Sequence, residues 1–183
     1  MRAWRTRSRE TILDWAPWLT VERHVVELPD GRVIEDWPWV EIRDFVNVVA
    51  VDVEGRFLVF EQTKYAVDGL TLAPVGGYLE MGEEPPAAAR RELLEETGYE
   101  SDDWTSLGRY AVDGNRGVGV GHFFLATAVR KVAEPDADDL EEQRLLSMSS
   151  DEVKTALREG RFGVVSWAAG FALALLAREH VSD

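Results

Sequence analysis

The sequence contains no cysteine and no hydrophobic run long enough to span a membrane. Without cysteine there are no disulfides, no thiolate metal sites and no cysteine nucleophile. The longest apolar stretch, near residues 164–177, is interrupted by Ser166 and Gly170 and falls short of the roughly 20 residues of a membrane span. No apolar segment follows the arginines of residues 1–20, so no signal peptide is recognisable. We therefore expect a cytoplasmic protein whose late apolar stretch forms a buried helix.

Positive charge is also scarce. Lysine and arginine total 20 against 34 aspartates and glutamates, which gives a net charge of -14. A protein this acidic repels nucleic acid and anionic membranes when no basic patch offsets its charge, so we expect neither as a partner. An anionic small molecule is repelled too, unless metal cations lie between it and the carboxylates.

What is present favours one domain with a short appended arm, because the chain has 183 residues and 45% hydrophobic residues. Strand patterns come first, then a helix, more strands and two helices, an order that favours an α+β fold with a mixed β-sheet sandwiched between helices. The predicted strands cover residues 19–28, 33–42, 45–53, 57–62, 70–72, 78–79, 106–112 and 121–129. Two of the predicted helices cover residues 85–97 and 165–180. A third, shorter helix begins at a capping box formed by Ser149 and Glu152 and ends at Gly160.

The densest negative charge lies in the helix predicted over 85–97. On a helical wheel, Glu92, Glu95 and Glu96 share one face around Ala88, and alanines and leucines occupy the opposite arc. Like charges at this spacing destabilise a helix, and the helix dipole disfavours anions in its C-terminal half. Oxygen ligands of this kind suit hard divalent cations such as Mg²⁺ or Mn²⁺.

A solvated acidic face is the alternative interpretation of these glutamates. It does not explain the loop before the helix, where Gly76, Gly77 and Gly82 allow tight turns and close approach of the backbone. Glycines are not needed merely to precede a surface helix. The loop and the helix together therefore favour a metal site.

Residues 77–99 resemble the Nudix box. That motif is a glycine, five residues, a glutamate, seven residues, Arg-Glu, an aliphatic residue, any residue, Glu-Glu, any residue, a glycine and an aliphatic residue. The matching residues are Gly77, Glu83, Arg91, Glu92, Leu93, Glu95, Glu96 and Gly98. Tyr99 departs from the motif, because an aliphatic residue is usual there. The resemblance implies the Nudix fold, a mixed β-sheet between helices with the box as a loop–helix–loop beside the sheet.

The resemblance also implies roles for the box residues. Glu92, Glu95 and Glu96 are the expected metal ligands, joined by the backbone carbonyl of Gly76. The implied cofactor is Mg²⁺, with Mn²⁺ as the alternative.

Further roles follow from the same likeness. Glu83 is expected to shape the loop and to reach metal through water, and Arg91 to orient the carboxylates by ion pairing. A carboxylate is expected to act as general base. The candidates are Glu95 and, from a late acidic loop, Glu141 and Glu142. Without the family likeness those last two residues belong to an ordinary solvated loop.

Within the family, the chain resembles the ADP-ribose pyrophosphatase and nucleotide-sugar hydrolase group. The similar parts are an N-terminal hairpin, residues 58–65, which resemble the group's strand ending in Glu-Gln-x-Arg, and residues 141–160, which resemble its acidic loop, strand and late helix. The implied reaction hydrolyses the pyrophosphate bond of a nucleoside diphosphate linked to another moiety, such as ADP-ribose or a nucleotide-sugar. The products are a nucleoside monophosphate and a sugar phosphate.

Two departures leave the substrate open. Lys64 stands where the group usually has arginine, and no proline follows the box at the distance that the group shows. Another nucleotide, a triphosphate or a dinucleotide, is an alternative substrate, although the N-terminal arm argues against a minimal triphosphatase. A non-catalytic nucleotide-sensing domain is a further alternative, although the box keeps all its carboxylates. The candidate substrate-binding residues are Arg43, Lys64 and Arg116.

Five of the seven tryptophans lie in the first 44 residues. Local packing is one interpretation of them. In the resembled group the N-terminal arm is exchanged between subunits and helps to build the substrate site, which implies a homodimer. We therefore predict an arm and hairpin over residues 1–44, for dimerisation and substrate binding, and a Nudix hydrolase domain over 45–183.

Overall fold

The computed structural model describes residues 1–136 and 142–179. Within these ranges the chain forms ten strands and three helices. In order they are β1 (Arg5–Trp15), β2 (Leu19–Glu27), β3 (Val33–Glu41), β4 (Phe45–Asp52), β5 (Phe57–Lys64), β6 (Val67–Ala73), α1 (Pro85–Thr97), β7 (Tyr99–Glu100), β8 (Asp103–Ala111), β9 (Val120–Lys131), β10 (Gln143–Met148), α2 (Ser150–Arg158) and α3 (Val165–Glu179). None of these helices, over the residues described, has the length and apolar character needed to cross a membrane.

The chain divides into two compact units. The first comprises Met1–Asp44 and Tyr110–Val120, and the second comprises Phe45–Arg109 and Gly121–Asp183. In the first unit β1, β2 and β3 form an antiparallel sheet in that order. The sequence pattern predicts only the hairpin of β2 and β3, so β1 is a strand that the pattern does not predict. Every residue of β1 is exposed, so the strand shows no alternating hydrophobic pattern and depends on its pairing with β2.

The first unit has a small aromatic interior. His24 is buried, and its Nε2 lies within hydrogen-bonding distance, 2.7 Å, of Oε2 of Glu22. Its ring stacks on the ring of Trp39. A side chain at Gly117 would overlap that ring, so the glycine permits the loop after β8 to pack against it. The Trp37 indole N–H donates to the carbonyl of Asn115 at 3.0 Å. Trp37 and Trp39 therefore take part in packing within this unit.

The second unit is built on a mixed β-sheet. Its strand order is β10, β5, β4, β9 and β7, with β6 beside β5 and β8 beside β9. β4 is parallel to β9 and antiparallel to β5. The residues of β4 alternate between the two faces of the sheet and are buried on both, as its nearly unbroken apolar sequence predicts.

Helices cover both faces of this sheet. Val46, Val48 and Ala50 of β4 pack in one hydrophobic cluster with residues of α1. Val49 and Val51 pack in a second cluster with residues of α2 and α3. The predicted α+β architecture, a mixed sheet sandwiched between helices, is therefore confirmed.

Helix α1 has the bounds that the sequence predicts. It ends at Gly98, whose φ of 74° is the left-handed conformation that glycine adopts readily. The predicted division of α1 into an exposed acidic face and a buried apolar face is wrong for some residues. Leu94 is exposed, whereas Ala88 is fully buried and Glu92 is only 9% exposed, because the helix turns part of its acidic face toward the preceding loop. The strand predicted over residues 78–79 is also wrong, since Tyr78 makes only an isolated bridge with Phe45.

Candidate active site

The loop before α1 is held along β4 by backbone hydrogen bonds. The Val46 N–H donates to the carbonyl of Gly77 at 2.9 Å, and the Val48 N–H donates to the carbonyl of Val75 at 2.8 Å. The loop thus continues the sheet for a few residues before the chain turns into α1. Its position fixes the Gly76-Gly77 pair between β4 and the acidic helix.

Both glycines lie in close contact with neighbouring atoms. A side chain at Gly77 would overlap the Glu92 carboxylate, and one at Gly76 would overlap the Val46 carbonyl. The Gly76 N–H donates to Oε2 of Glu96 at 3.0 Å. The expected close approach of backbone to the carboxylates is therefore observed. The Gly76 carbonyl as a metal ligand stays a prediction.

Arg91 lies at the centre of the box carboxylates. Its Nε and Nη2 donate to the two oxygens of Glu83, each at 2.9 Å, in a bidentate pair. Its Nη1 donates to Glu92 at 2.8 Å and to Glu95 at 3.0 Å. These bonds, those to Glu83 above all, raise the pKa of Arg91 further above its ordinary value. The expected ion pairing is present.

Glu83 shapes the loop as well as pairing with Arg91. Its Oε2 accepts a hydrogen bond from the Glu80 N–H at 2.9 Å, which closes the turn before α1. Its side chain is only 14% exposed, so the pair with Arg91 is largely shielded from water. The loop-shaping function expected of Glu83 agrees with these bonds.

The electrostatics of the site favour a further cation. Burial raises the pKa of Glu92, and the charges of Glu95 and Glu83 raise it too, while Arg91 lowers it. One guanidinium therefore offsets three carboxylates in a partly buried cluster, with Glu96 beside them. Such a cluster is destabilising unless more positive charge joins it.

The donor set fits a hard divalent metal ion. All the candidate ligands are carboxylate or carbonyl oxygens, the ligands that Mg²⁺ and Mn²⁺ prefer. Among residues 1–136 and 142–179, no three acidic or histidine side chains converge closely enough to hold an ion as they stand. Arg91 holds Glu92 and Glu95 in this arrangement, and Glu96 faces the Gly76 N–H. The chemistry of the donors thus fits a metal, and the ligand assignments stay predictions.

The other predicted site residues lie outside the box. Lys64 ends β5 in the second unit, and Glu142 is exposed immediately before β10. In the first unit the Arg43 guanidinium lies 5.4 Å from the ring centroid of Trp18, and Arg116 donates to Asp113 at 3.0 Å. The prediction for Glu141 falls outside the described residues. The roles of all five remain predictions.

A further polar residue beside the loop, Asn47, is not among those predicted from the sequence. It lies on β4 opposite Gly76, is 4% exposed, and its Oδ1 would be 3.0 Å from a Cβ on that glycine. Its Nδ2 is buried and has no hydrogen-bond partner among the described residues. The signal in the sequence is one amide side chain within the otherwise apolar run of β4.

The fold and the box together define an α+β protein whose mixed sheet carries an acidic loop–helix–loop motif. Residues 41–168 match the NUDIX domain family, and residues 4–40 match the nucleoside diphosphate sugar hydrolase N-terminal domain. The chain therefore belongs to the Nudix family and is a Nudix pyrophosphohydrolase, as the box predicts. Nudix hydrolases generally use divalent metal ions.

Three curated relatives are 29–30% identical to the chain over the residues that align. A methanol dehydrogenase activator of Bacillus methanolicus is 30% identical over 74% of this chain and 74% of its own length. An ADP-ribose pyrophosphatase of Bacillus subtilis (strain 168) is 29% identical over 73% of this chain and 70% of its own. A CMP-5'-(N-acetyl-N-hydroxy-3-aminopropyl)phosphonate hydrolase of Streptomyces rubellomurinus is 29% identical over 95% and 81%. A solved structure described as an ADP compounds hydrolase has the same fold, with a TM-score of 0.76 at 19% identity over 100% of this chain and 96% of that one.

Proposed function

We propose that this protein hydrolyses the pyrophosphate bond of a nucleoside diphosphate linked to another moiety, with ADP-ribose or a nucleotide-sugar as substrate. The products are a nucleoside monophosphate and a sugar phosphate. The observation that carries the proposal is the carboxylate cluster around Arg91, with Gly76 and Gly77 pressed against it. The match of residues 4–40 to a nucleoside diphosphate sugar hydrolase domain supports the substrate class. So do two relatives named as hydrolases of ADP-ribose and of a CMP-linked phosphonate.

We propose Mg²⁺ as the cofactor. Glu92, Glu95 and Glu96 would hold it, with the carbonyl of Gly76, and Glu83 would reach it through water. Bound there, Mg²⁺ supplies charge neutralisation of the pyrophosphate and a lowered pKa for a bound water. The chain's own contribution is to hold these oxygens in place, which Arg91 and the Gly76 N–H do through the bonds described above.

The reaction needs a base for the attacking water. The water oxygen bonds to one phosphorus, the bridging P–O bond breaks, and a carboxylate accepts the proton. Glu95 is the candidate within the box, because its side chain is 49% exposed and can meet solvent, whereas that of Glu92 is 12% exposed. Glu142, exposed before β10, is the candidate described outside the box, and Glu141 remains the other.

Substrate anions need cations besides the metal. We propose Lys64, Arg43 and Arg116 for this purpose, because each carries a positive charge that a phosphate can pair with. Arg116 already pairs with Asp113, so a phosphate would have to compete with that carboxylate.

The direct test incubates the protein with ADP-ribose, ADP- and UDP-sugars, a dinucleotide and nucleoside triphosphates, with Mg²⁺ or with EDTA. We expect mononucleotide and sugar phosphate, resolved by anion-exchange chromatography, from the diphosphates with Mg²⁺ only. Preference for a triphosphate or a dinucleotide would contradict the substrate class. Intact metal binding without turnover of any compound would instead favour a nucleotide sensor.

A matched pair of variants tests the role of the box. Glu96→Gln removes an expected metal ligand and should lower kcat by at least about 100-fold, since a metal supplies several kcal/mol to the transition state. Glu84→Gln removes the same charge from an exposed position just before α1 and should leave kcat near the wild-type value. Full activity of Glu96→Gln would contradict its assignment.

A further inference from the structure

The N–H groups of Arg91 are all engaged within the site. Its Nε, Nη1 and Nη2 donate to Glu83, Glu92 and Glu95, and Nη2 also faces the carbonyl of Tyr78 at 3.4 Å. A guanidinium has five N–H groups, and these five contacts account for them. The Gly76 N–H is also engaged, with Glu96. Neither Arg91 nor the Gly76 N–H therefore has a hydrogen left for a substrate oxygen beside this loop.

Asn47 offers a donor beside this loop. It lies directly across from Gly76 in the pairing between β4 and the loop, because Phe45 is opposite Tyr78 and Val48 is opposite Val75. Its carboxamide oxygen Oδ1 faces Gly76, and the buried Nδ2 of the same group has no acceptor within the described part of the chain. A buried donor without a partner costs stability, so natural proteins rarely retain one without a reason.

The apolar surroundings strengthen this argument. Val49, which lies on the same face of β4 as Asn47, is 0% exposed, so a valine at position 47 would fit the strand at least as well as an amide for stability alone. A hydrogen bond formed at a site only 4% exposed is shielded from water and discriminates strongly between ligands that accept it and ligands that do not. These are the properties of a recognition residue.

We propose that Asn47 is a substrate-binding residue whose carboxamide N–H donates to an acceptor oxygen of the bound nucleoside diphosphate. This inference rests on the proposed function, because it takes the diphosphate to be the ligand beside Gly76. The acceptor is a phosphate oxygen or a ribose oxygen. The two share the same chemistry and can be separated by the choice of probe.

The test measures binding of two probes, ADP and inorganic pyrophosphate, by calorimetry in the presence of Mg²⁺. Asn47→Leu, nearly isosteric but without the donor, should weaken ADP binding by at least about tenfold. If pyrophosphate is weakened equally, the acceptor is a phosphate oxygen. If ADP alone is weakened, it is a ribose oxygen. Unchanged affinity for both probes overturns the inference and points to a structural amide, bonded for example to a buried water.

Asn47→Asp tests the direction of the bond. Measured at a pH at which the new carboxyl is ionised, this variant can only accept hydrogen bonds, so it should bind both probes at least as weakly as Asn47→Leu does. Retained affinity in Asn47→Asp, with loss in Asn47→Leu, would show that the residue accepts rather than donates and would overturn the assignment. Mn²⁺ affinity measured without a nucleotide should be the same in Asn47→Leu as in the wild type. If only the metal affinity changed, Asn47 would act by positioning the Gly76 loop, and the proposed contact with the substrate would be overturned as well.

Thermal stability without ligands supplies the control. Asn47→Leu and the smaller Asn47→Val should be at least as stable as the wild type, since no protein hydrogen bond is lost. Thr71→Val is the matched control, because the buried Thr71 Oγ1 accepts from the Gly163 N–H at 2.8 Å, and its melting temperature should fall. If Asn47→Val and Asn47→Leu are destabilised like Thr71→Val and bind both probes normally, Asn47 is structural.

The proposed function can fail separately from this inference. Hydrolysis of a diphosphate by the wild type, with unaltered probe binding in the Asn47 variants, would retain the function and reject only the role of Asn47. A rise in KM with little change in kcat is the expected kinetic result, because the bond is formed in the ground state as well as in the transition state. Absence of binding of either probe to the wild type would reject the role of Asn47 directly.

Discussion

At the scale of single residues, one guanidinium binds three glutamates of the acidic loop and helix. Arg91 bonds Glu83 in a bidentate pair and reaches Glu92 and Glu95 with its remaining nitrogen. The planar fork meets several carboxylates at fixed angles, which a lysine ammonium cannot do. The partial burial of Arg91 and Glu83 makes these bonds stronger than ordinary surface pairs.

Arg91→Lys should therefore be damaging although it preserves the charge. We expect a loss of about 1–3 kcal/mol in the free energy of unfolding, measured in urea, and a fall in kcat/KM of about tenfold or more. Arg144→Lys is the control, because Arg144 pairs with Glu61 through a side chain that is 69% exposed and should change stability by no more than about 0.5 kcal/mol. Equal effects of the two substitutions would mean that the fork geometry of Arg91 is unimportant.

Gly77→Ala tests the contact between the loop and the acidic helix. The added methyl group would overlap the Glu92 carboxylate, so the loop or the glutamate has to move. We expect a cost of about 1–3 kcal/mol in the free energy of unfolding, the usual cost of overpacking, together with weaker Mn²⁺ binding measured by calorimetry.

Gly114→Ala provides the comparison, since a methyl group there meets no atom within 4 Å. It should leave metal binding unchanged. Normal Mn²⁺ affinity in Gly77→Ala would mean that the position of Glu92 beside the loop does not affect the metal.

The sequence predicts the residues of this site better than their surroundings. A charged motif at fixed spacing identifies Arg91 and the glutamates, because helical geometry brings residues three and four apart together. The burial of Glu92 and the exposure of Leu94 could not be predicted, because they depend on how the helix is rotated against the loop. Asn47 was missed because its significance comes from Gly76, which is remote in sequence and adjacent only through the pairing of loop and strand.

At the scale of secondary structure, helix α2 shows how local sequence sets a boundary. The Ser149 Oγ accepts from the Glu152 N–H at 3.3 Å, and the Glu152 carboxylate accepts from the Ser149 N–H at 2.7 Å. This is the predicted capping box, and it is confirmed. The bond to the Ser149 backbone lowers the pKa of Glu152 below its ordinary value of 4.5.

Ser149→Ala should lower the free energy of unfolding by about 1 kcal/mol at pH 7, measured in urea. The contribution of Glu152 follows its depressed pKa: it is present above pH 4.5 and is lost as the pH falls through the lower folded pKa. The difference in stability between wild type and Glu152→Gln should therefore shrink between pH 5 and strongly acidic solution. Asp151→Asn, which alters the same helical turn without the capping bond, should lack most of this change.

The structural elements divide into those that local patterns specify and those that pairing creates. The bounds of α1 follow from the prolines at its start and Gly98 at its end, and both were predictable. Strand β1 was not, because its residues are all exposed and only its partner β2 makes it a strand. The two-residue β7 escaped prediction for a similar reason, since two residues carry no periodicity.

At the scale of the whole molecule, charge separates the N-terminal segment from the rest of the chain. Arg2, Arg5, Arg7 and Arg9 lie in the first nine residues, which contain no acid, although the chain carries a net charge of -14. Strand β1 also exposes Ile12, Leu13 and Trp15, with Trp18 following in the turn. Such a combination of basic and apolar side chains is complementary to an acidic partner with an apolar patch.

We therefore predict that the partner is a second copy of the chain, and that the protein is a homodimer through its N-terminal residues. Light scattering after size exclusion should give twice the chain mass of 20.6 kDa. The double variant Ile12→Ser, Trp15→Ser should shift the protein toward the monomer, because it removes exposed apolar area that a dimer would bury. Val53→Ser with Tyr65→Ser, at exposed apolar positions of the second unit, should leave the mass unchanged.

If the arm also contributes to the substrate site, kcat/KM per chain should fall when the wild type is diluted until the dimer dissociates. Of the two double variants, only the one at Ile12 and Trp15 should show the same fall. A monomeric wild type at micromolar concentration would contradict the prediction, and a variant that stays dimeric would place the interface on another surface.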